Sequence, residues 1–283
     1  MNGQSAKKTC VCECTISAFV TVDTVRLEFY WPGPAPRPGQ FFLIKPRRTG
    51  VFLARPISVA GWEIRKQTVA LKNTEKQRVG GGGTLRFIVA IKGRGSRDIA
   101  DMKPGEEAEL TGPLGNSWPL ELIPKGPIAL IAGGIGIAPL LALASELERR
   151  SIEDESSGFV DETKGFVFDF YAGFGSGSFG QKMKARALIL ATEDGSQGKK
   201  GYITDFFKPS GYRVVFACGP EAMLKTVADM CAADRVPCLI SMEKHMACGV
   251  GACLGCTVKT TVGNRRCCAD GPVFNAEDIK FED

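Results

Sequence analysis

The sequence contains one histidine, His245, in 283 residues. A Rieske-type iron–sulfur centre needs two, so that chemistry is excluded, and the lone imidazole reads as a surface group or a support for other ligands. Long apolar runs are missing as well. The longest, such as Pro127 to Ala132, fall far short of the ~20 residues of a membrane-spanning helix, so no span is expected and the protein should be soluble. Charge of one sign is not in excess. The 36 Lys and Arg stand against 31 Asp and Glu, and a dispersed +5 is too mild to mark a nucleic-acid groove. No apolar signal region follows the polar start from Met1 to Lys8, and no repeat is detectable. Hydrophobic residues at 44% and charged residues at 24% exclude a wholly disordered, collagen-like or coiled-coil chain.

Cysteine, by contrast, is abundant. There are eleven, an odd number, and five of them lie between 248 and 268. Without an export signal, this pattern points to a reducing, cytoplasmic setting and to a metal centre in preference to a disulfide framework.

At about 150 residues per domain, the length suggests two domains and a small module. Residues 1–122 read as the first. Short β-branched or aromatic runs at Ala18 to Phe29, Phe41 to Lys45, Ile57 to Ala60, Thr68 to Lys72, Leu85 to Ile91 and Glu107 to Thr111 are separated by turn signals, which suggests a small antiparallel barrel. Arg65 to Gly83, polar and ending in four glycines, looks like an extended hairpin or insertion. Over 123–238 the rhythm changes to strand and helix: Ile128 to Ala132 and a helix from Pro139, then Phe166 to Ala172, Ala187 to Thr192, and Val214 to Cys218 with a helix from Glu221. Leu239 to Met242 adds a last strand. This alternation implies a doubly wound parallel sheet that binds ligands at its carboxyl edge. Ser151 to Lys164, acidic and Ser-rich, is expected to be a surface loop. Residues 239–283, rich in Gly and Cys, have no room for a core of their own and should need a metal to hold them.

Cys248, Cys253, Cys256 and Cys268 are spaced C-x4-C-x2-C-x11-C. The first three match the plant-type 2Fe–2S run, and Gly249, Gly251 and Gly255 let the backbone wrap closely round a cluster. The competing reading is a four-thiolate zinc site, which usually pairs two short knuckles. Spacing alone does not choose between Cys267 and Cys268. Cys10, Cys12 and Cys14 alternate as strand thiols should, and Cys231 and Cys238 read as buried small hydrophobes.

Gly134-Ile135-Gly136-Ile137-Ala138-Pro139 follows a strand and opens a helix, the context in which backbone amides and a helix N-terminus face a pyrophosphate. Cys218-Gly219-Pro220 ends another strand at the same edge, where it can line the pocket above a nicotinamide. Glu193-Asp194-Gly195-Ser196 ends a third, and its acidic groups read either as ribose partners that mildly favour NAD over NADP or as solvated turn residues. Arg55-Pro56-Ile57-Ser58 and Lys92-Gly93-Arg94-Gly95-Ser96 add an isolated cation and a second glycine loop.

Taken in order, R-P-x-S, G-x-G-S, Gly112-Pro113-Leu114-Gly115-Asn116, G-G-I-G-I-A-P and C-G-P resemble the ferredoxin-reductase superfamily. The C-G-V-G-A-C-L-G-C run from Cys248, with Cys268-Ala-Asp-Gly-Pro-Val-Phe274, narrows the resemblance to the electron-transfer subunits of class B dihydroorotate dehydrogenases, over about residues 15 to 276. That resemblance implies an FAD held by the barrel, NAD at the sheet and a 2Fe–2S cluster in the tail. It implies that Arg55 neutralises the FAD pyrophosphate and Ser58 bonds the flavin, within the segment Arg55, Pro56, Ile57, Ser58. The backbone of Ile88, Val89 and Ala90 and the loop at Gly95 and Ser96 complete the flavin site. Gly134, Gly136, Cys218 and Gly219 attend the dinucleotide, and Cys268 is selected over Cys267. Ser96 stands where Thr is usual, and Trp118 follows Asn116-Ser117 where Gly-Phe is usual. The implied partner is an FMN-containing dihydroorotate dehydrogenase catalytic subunit in a heterotetramer, with electrons passing by the cluster and FAD to NAD in pyrimidine biosynthesis. Two alternatives stay open: a flavin and iron–sulfur NAD(P)H reductase subunit serving ferredoxin or another acceptor, and a zinc-stapled or redox-sensing protein without turnover.

Overall fold

A computed structural model describes residues 8–48, 50–64, 82–124, 126–156, 166–177 and 183–282. Six strands form a closed antiparallel barrel: β1 (Lys8–Thr21), β2 (Thr24–Trp31), β3 (Phe41–Pro46), β4 (Arg55–Ile64), β5 (Gly83–Ala90) and β6 (Glu107–Leu114). The order is β1-β2-β5-β4-β3-β6, and β6 pairs back on β1. Inward-facing aromatics fill it. The Trp31 and Phe42 rings meet edge to face at 5.0 Å, and Phe42 meets Phe87 at 5.8 Å. Cys12 and Cys14 are buried in the same core, and burial pushes their thiols up to about 12 and about 11.

Two readings of this region change. The run Ala18 to Phe29 is not one strand, because the chain turns at Val22-Asp23, where Thr21 Oγ1 donates to Asp23 Oδ1 at 2.7 Å. No Gly or Pro marks that turn, so the side-chain bond does the work. The segment at Gly95 and Ser96 is not a loop but the first turn of α1 (Arg94–Ala100). The Ser96 hydroxyl accepts from the Lys92 and Gly93 amides at 2.8 and 3.1 Å, which caps the helix despite two glycines. The expected strand Thr68 to Lys72, and most of the Arg65 to Gly83 insertion, lie outside the described residues.

The second part is a seven-stranded sheet. Its strands are β7 (Pro127–Gly133), β8 (Val167–Phe174), β9 (Ala187–Thr192), β10 (Lys199–Lys200), β11 (Val214–Cys218), β12 (Cys238–Ser241) and the late β15 (Val273–Asn275). The order is β10-β9-β8-β7-β11-β12-β15, all parallel except the antiparallel edge β15. Side chains alternate along β7: Ile128, Leu130 and Ala132 pack with α2 (Ile137–Ser156), whereas Ala129 and Ile131 pack with α3 (Glu221–Asp234). Helix α2 runs on through Ser156, so the start of the expected surface loop from Ser151 is helical, and 157–165 lie outside the described residues. Among the described residues no helix is long and apolar enough to cross a membrane.

The tail carries the hairpin β13 (Thr257–Thr260) and β14 (Gly263–Arg266), and then β15 returns to the sheet. It does not lack a core. Cys256, Val258, Cys267, Cys268, Ala276 and Ile279 share one apolar cluster with Ala217 and Ile240 of the sheet and with Leu43 and Leu114 of the barrel. A core borrowed from neighbours is invisible in a short segment's own composition.

Candidate functional site

In the barrel, β4 pairs with β3 along Arg55 to Ser58, but its ladder with β5 begins only at Val59, opposite Phe87. Arg55, Pro56, Ile57 and Ser58 thus face Ile88, Val89 and Ala90 across a gap. Ile88 to Ala90 pair with β2 on their other side, so their backbone edge toward β4 has no strand against it among the described residues. The side chain of Ile88 packs outside, with Ala60 and Ala138 of α2, and that of Val89 packs inside the barrel.

Arg55 lies against the start of α1. Its guanidinium donates to the Leu53 carbonyl at 2.7 Å, and a Cβ on Gly95 would sit 2.2 Å from its Nε. A side chain at Gly95 would therefore displace the Arg55 guanidinium from this position. The Ser96 hydroxyl is committed to the start of its own helix, donating to the Gly93 carbonyl at 3.0 Å. Ser58 is half-buried, and its hydroxyl makes no hydrogen bond among the described residues.

At the sheet, β7 is followed in space by β8 on one side and β11 on the other, so the strand order reverses between β7 and β11. A crevice forms at such a point. Here it is a cleft of about 310 Å³, lined among others by Gly133, Gly134, Ile135, Gly219, Pro220 and Glu243, with Lys92 reaching in from the barrel. Gly134 has φ +53 and open space where a Cβ would be. Gly136 does not line the cleft: a Cβ there would meet the Cys218 carbonyl oxygen at 2.3 Å, so its smallness lets β7 and β11 close up. Cys218 is fully buried beneath the cleft, and its thiol is pushed well up by that burial. At the far edge, the Asp194 carboxylate accepts from the Ser196 amide and hydroxyl at 2.9 and 2.6 Å.

The cysteine loop brings its four thiols together in two pairs, Cys248 with Cys253 and Cys256 with Cys268. Backbone amides point at the sulfurs: Gly251 N to Cys268 Sγ at 3.1 Å, Cys268 N to Cys256 Sγ at 3.4 Å, Cys253 N and Val250 N to Cys248 Sγ at 3.4 and 3.5 Å. The Val250 and Cys253 amides hold the Cys248 thiol down at about 6. Burial instead pushes Cys268 up to about 12. Gly249, with φ +65, lies on Leu43 and Leu114, seating the loop on barrel strands β3 and β6. Adjacent Cys267 turns the other way, and its thiol donates to the Met242 carbonyl at 3.0 Å. His245 is exposed.

Residues 243–280 match the iron–sulfur cluster binding domain of dihydroorotate dehydrogenase B. The chain is 39% identical, over 87% of its length and 87% of the relative, to the dihydroorotate dehydrogenase B (NAD(+)) electron transfer subunit of Clostridium acetobutylicum. The chain belongs to that family. A member from Caldanaerobacter subterraneus subsp. tengcongensis is 33% identical over 93% of this chain and 94% of its own length. Among solved structures, an NADH-dependent reduced ferredoxin-NADP oxidoreductase superposes with a TM-score of 0.74 at 24% identity, covering 99% of this chain and 92% of that one. A ferredoxin NADP+ reductase from Neisseria gonorrhoeae gives 0.54 at 15% identity, over 79% and 92%. These two show the ferredoxin-reductase-like fold that the motifs of the chain imply.

Several residues of the site were not singled out in the sequence. Lys92 was read only as part of a glycine loop, Gly133 only within the G-G-I-G-I-A-P motif and Met242 only as the end of a strand, and Glu243 was not singled out, because the cleft they line exists only where barrel and sheet meet. Cys231 and Cys238, read separately as buried small hydrophobes, face each other between α3 and β12. A seven-residue spacing with a helix end between them carried no signal for that.

Proposed function

We propose that the three sites of this electron transfer subunit divide one task among FAD, NAD and a 2Fe–2S cluster, with 1–122 holding the flavin, 123–238 the dinucleotide and 239–283 the cluster. The observation that carries the reading is the seating of the cysteine loop: it rests on barrel strands through Gly249 and reaches the dinucleotide cleft through the Cys267 bond to Met242.

Each site fits its group. The gap between β4 and β5 leaves backbone donors and acceptors of Ile88 to Ala90 free of a strand partner, with Ser58 close by on β4. Arg55, beside Gly95, supplies the cation that a pyrophosphate needs. Gly134 and Gly219 allow a dinucleotide backbone to approach the sheet edge, and Glu193 and Asp194 repel an added 2′-phosphate. Cys248, Cys253, Cys256 and Cys268 would ligate the cluster. Two irons take thiolates in pairs, as these are arranged, and the amides aimed at the sulfurs stabilise negative charge there. Flavin supplies exchange between the two-electron hydride chemistry of NAD and the one-electron steps of iron. The protein orients these groups and excludes water.

An electron transfer subunit works with a catalytic partner. The partner proposed is an FMN-containing dihydroorotate dehydrogenase subunit, assembled with this chain as a heterotetramer, so that electrons from dihydroorotate oxidation pass by the cluster and FAD to NAD. It would dock on the cluster face, where Cys253, Val250 and Leu254 are exposed beside the buried Cys256 and Cys268.

The test is anaerobic copurification followed by a visible spectrum. Flavin bands over broad iron–sulfur absorption, with an FMN subunit bound and orotate-dependent NADH oxidation, are expected. A colourless, zinc-loaded protein overturns the reading, and a coloured protein that couples to ferredoxin but to no FMN subunit overturns the partner.

A further inference from the structure

Four thiolates make an iron–sulfur cluster anionic, and reduction adds one more negative charge. The ease of that step depends on the charges and hydrogen bonds that the protein sets beside the sulfurs. The amides of the cysteine loop supply hydrogen bonds, and Arg266 supplies a formal charge. It ends β14, paired with Thr257 across the hairpin, so it stands beside Cys256 in space and two residues before Cys268 along the chain.

The guanidinium holds two segments at once. Its Nη1 donates to the Gly251 carbonyl at 3.3 Å, while the Gly251 amide donates to Cys268 Sγ at 3.1 Å. Its Nε and Nη2 donate to the two oxygens of the Asp270 carboxylate at 2.9 and 3.0 Å, and the Arg266 amide donates to the same carboxylate at 2.7 Å. The Arg266 carbonyl accepts in turn from the Ala269 and Asp270 amides at 3.1 and 2.8 Å. One ion pair thus closes the turn that carries Cys267 and Cys268, and the same arginine ties that turn to the loop bearing the other three thiols. Gly251, at φ +81, leaves the room for this: a Cβ there would come within 3.1 Å of Arg266 Nη1 and 2.9 Å of Ala269 Cβ. The Asp270 carboxylate first, and the Cys268 and Cys256 thiols after it, push the guanidinium further above its ordinary range, so the positive charge is permanent. The Arg266 side chain is 41% exposed and that of Asp270 24%, so water weakens their field at the sulfurs without cancelling it.

We propose that Arg266 is a positioning residue for the cluster whose charge also raises the cluster's reduction potential, with Asp270 limiting that rise. The inference rests on the cluster reading given above. Through Gly251 the arginine aims an amide at Cys268, and through its charge it favours the arrival of an electron among the thiolates. The Asp270 carboxylate opposes that attraction, so the electron is held loosely enough to pass on.

The test uses the full chain carrying FAD and cluster. The cluster midpoint potential is read by redox titration followed by EPR, with iron and sulfide counted in each sample. Arg266→Gln should lower the potential by the equivalent of about 3- to 10-fold in the one-electron equilibrium, which is about 30–60 mV at 59 mV per tenfold. Asp270→Asn should raise it by a similar amount, because the guanidinium is then unopposed. Arg266→Lys keeps the charge, so its potential should stay near the wild-type value. A residue that only braced the loop would move Arg266→Gln and Asp270→Asn in the same direction. That result, two unchanged potentials, or a fall in Arg266→Lys equal to that in Arg266→Gln would overturn the proposal. If Arg266→Gln failed to keep its iron, Asp270→Asn would decide: a rise upholds the proposal and no rise overturns it. A wild type without acid-labile sulfide would instead remove the cluster reading itself, so the two failures are told apart.

Discussion

The barrel and the cysteine tail each present a site for a prosthetic group, and they are held together by opposite means. The barrel is finished without its group: a closed ladder surrounds Trp31, Phe42, Phe87 and Phe29, and its site is a local gap between β4 and β5. The tail has strands of three or four residues, glycines at positive φ, and amides aimed at sulfur in place of carbonyls. Its outer loop, Ala252 to Gly255, is exposed and adds nothing to the shared core. Losing the group should therefore cost the barrel a function and cost the tail a structure.

The comparison breaks most visibly at the tail. Cys268→Ser should remove acid-labile sulfide and iron almost completely while flavin content stays near one per chain, and hydrogen exchange should rise over 248–270 only. A normal cluster in that variant would make Cys267 the ligand. Next, Phe42→Ala should lower the stability of the barrel by about 3–5 kcal/mol, read as the denaturation midpoint, because it deletes a ring packed against Trp31 and Phe87. If the tail lost protection to the same extent, the two regions would be one cooperative unit, as their shared apolar cluster permits.

A smaller effect is expected at the flavin gap. Arg55→Ala should weaken FAD retention by about 10- to 100-fold, the size of one charge-assisted interaction, with the fold unchanged. Gly95→Val should mimic it, since a side chain there displaces the Arg55 guanidinium. The smallest effect lies on the sheet, far from both sites. Burial of Asp169 disfavours its charge, but the bonds from Arg186 and from Tyr212 at 2.6 Å outweigh that and hold its carboxyl below the usual range. A carboxylate with a lowered native pKa adds stability above its unfolded pKa and loses it as pH falls through the native one. Asp169→Asn should flatten the acid limb of thermal stability below about pH 4 and leave the cluster spectrum untouched.

Much of the site was legible because its chemistry is local in sequence. Three thiolates within nine residues need glycines between them to converge on one cluster, and a glycine pair after an apolar strand belongs to a backbone that must admit a ligand. Arg55 and Ser58 were singled out by resemblance, but the contact between Gly95 and Arg55 could not be, because it joins a helix start to a guanidinium forty residues away. The turn at Val22-Asp23 and the helix at Ser96 were missed because side-chain hydrogen bonds do there what Gly and Pro usually do.

By itself, then, the order of residues determined the ligand spacing, the alternation of β7 between two helices and the change from barrel rhythm to strand–helix rhythm, since each depends on neighbours a few positions apart. Only the folded molecule decided that the tail shares its neighbours' core, that Cys267 turns from Cys268 toward Met242, and that Lys92 and Glu243 face one another. Those facts depend on contacts between segments distant along the chain, set by how barrel, sheet and tail bury their apolar faces against each other.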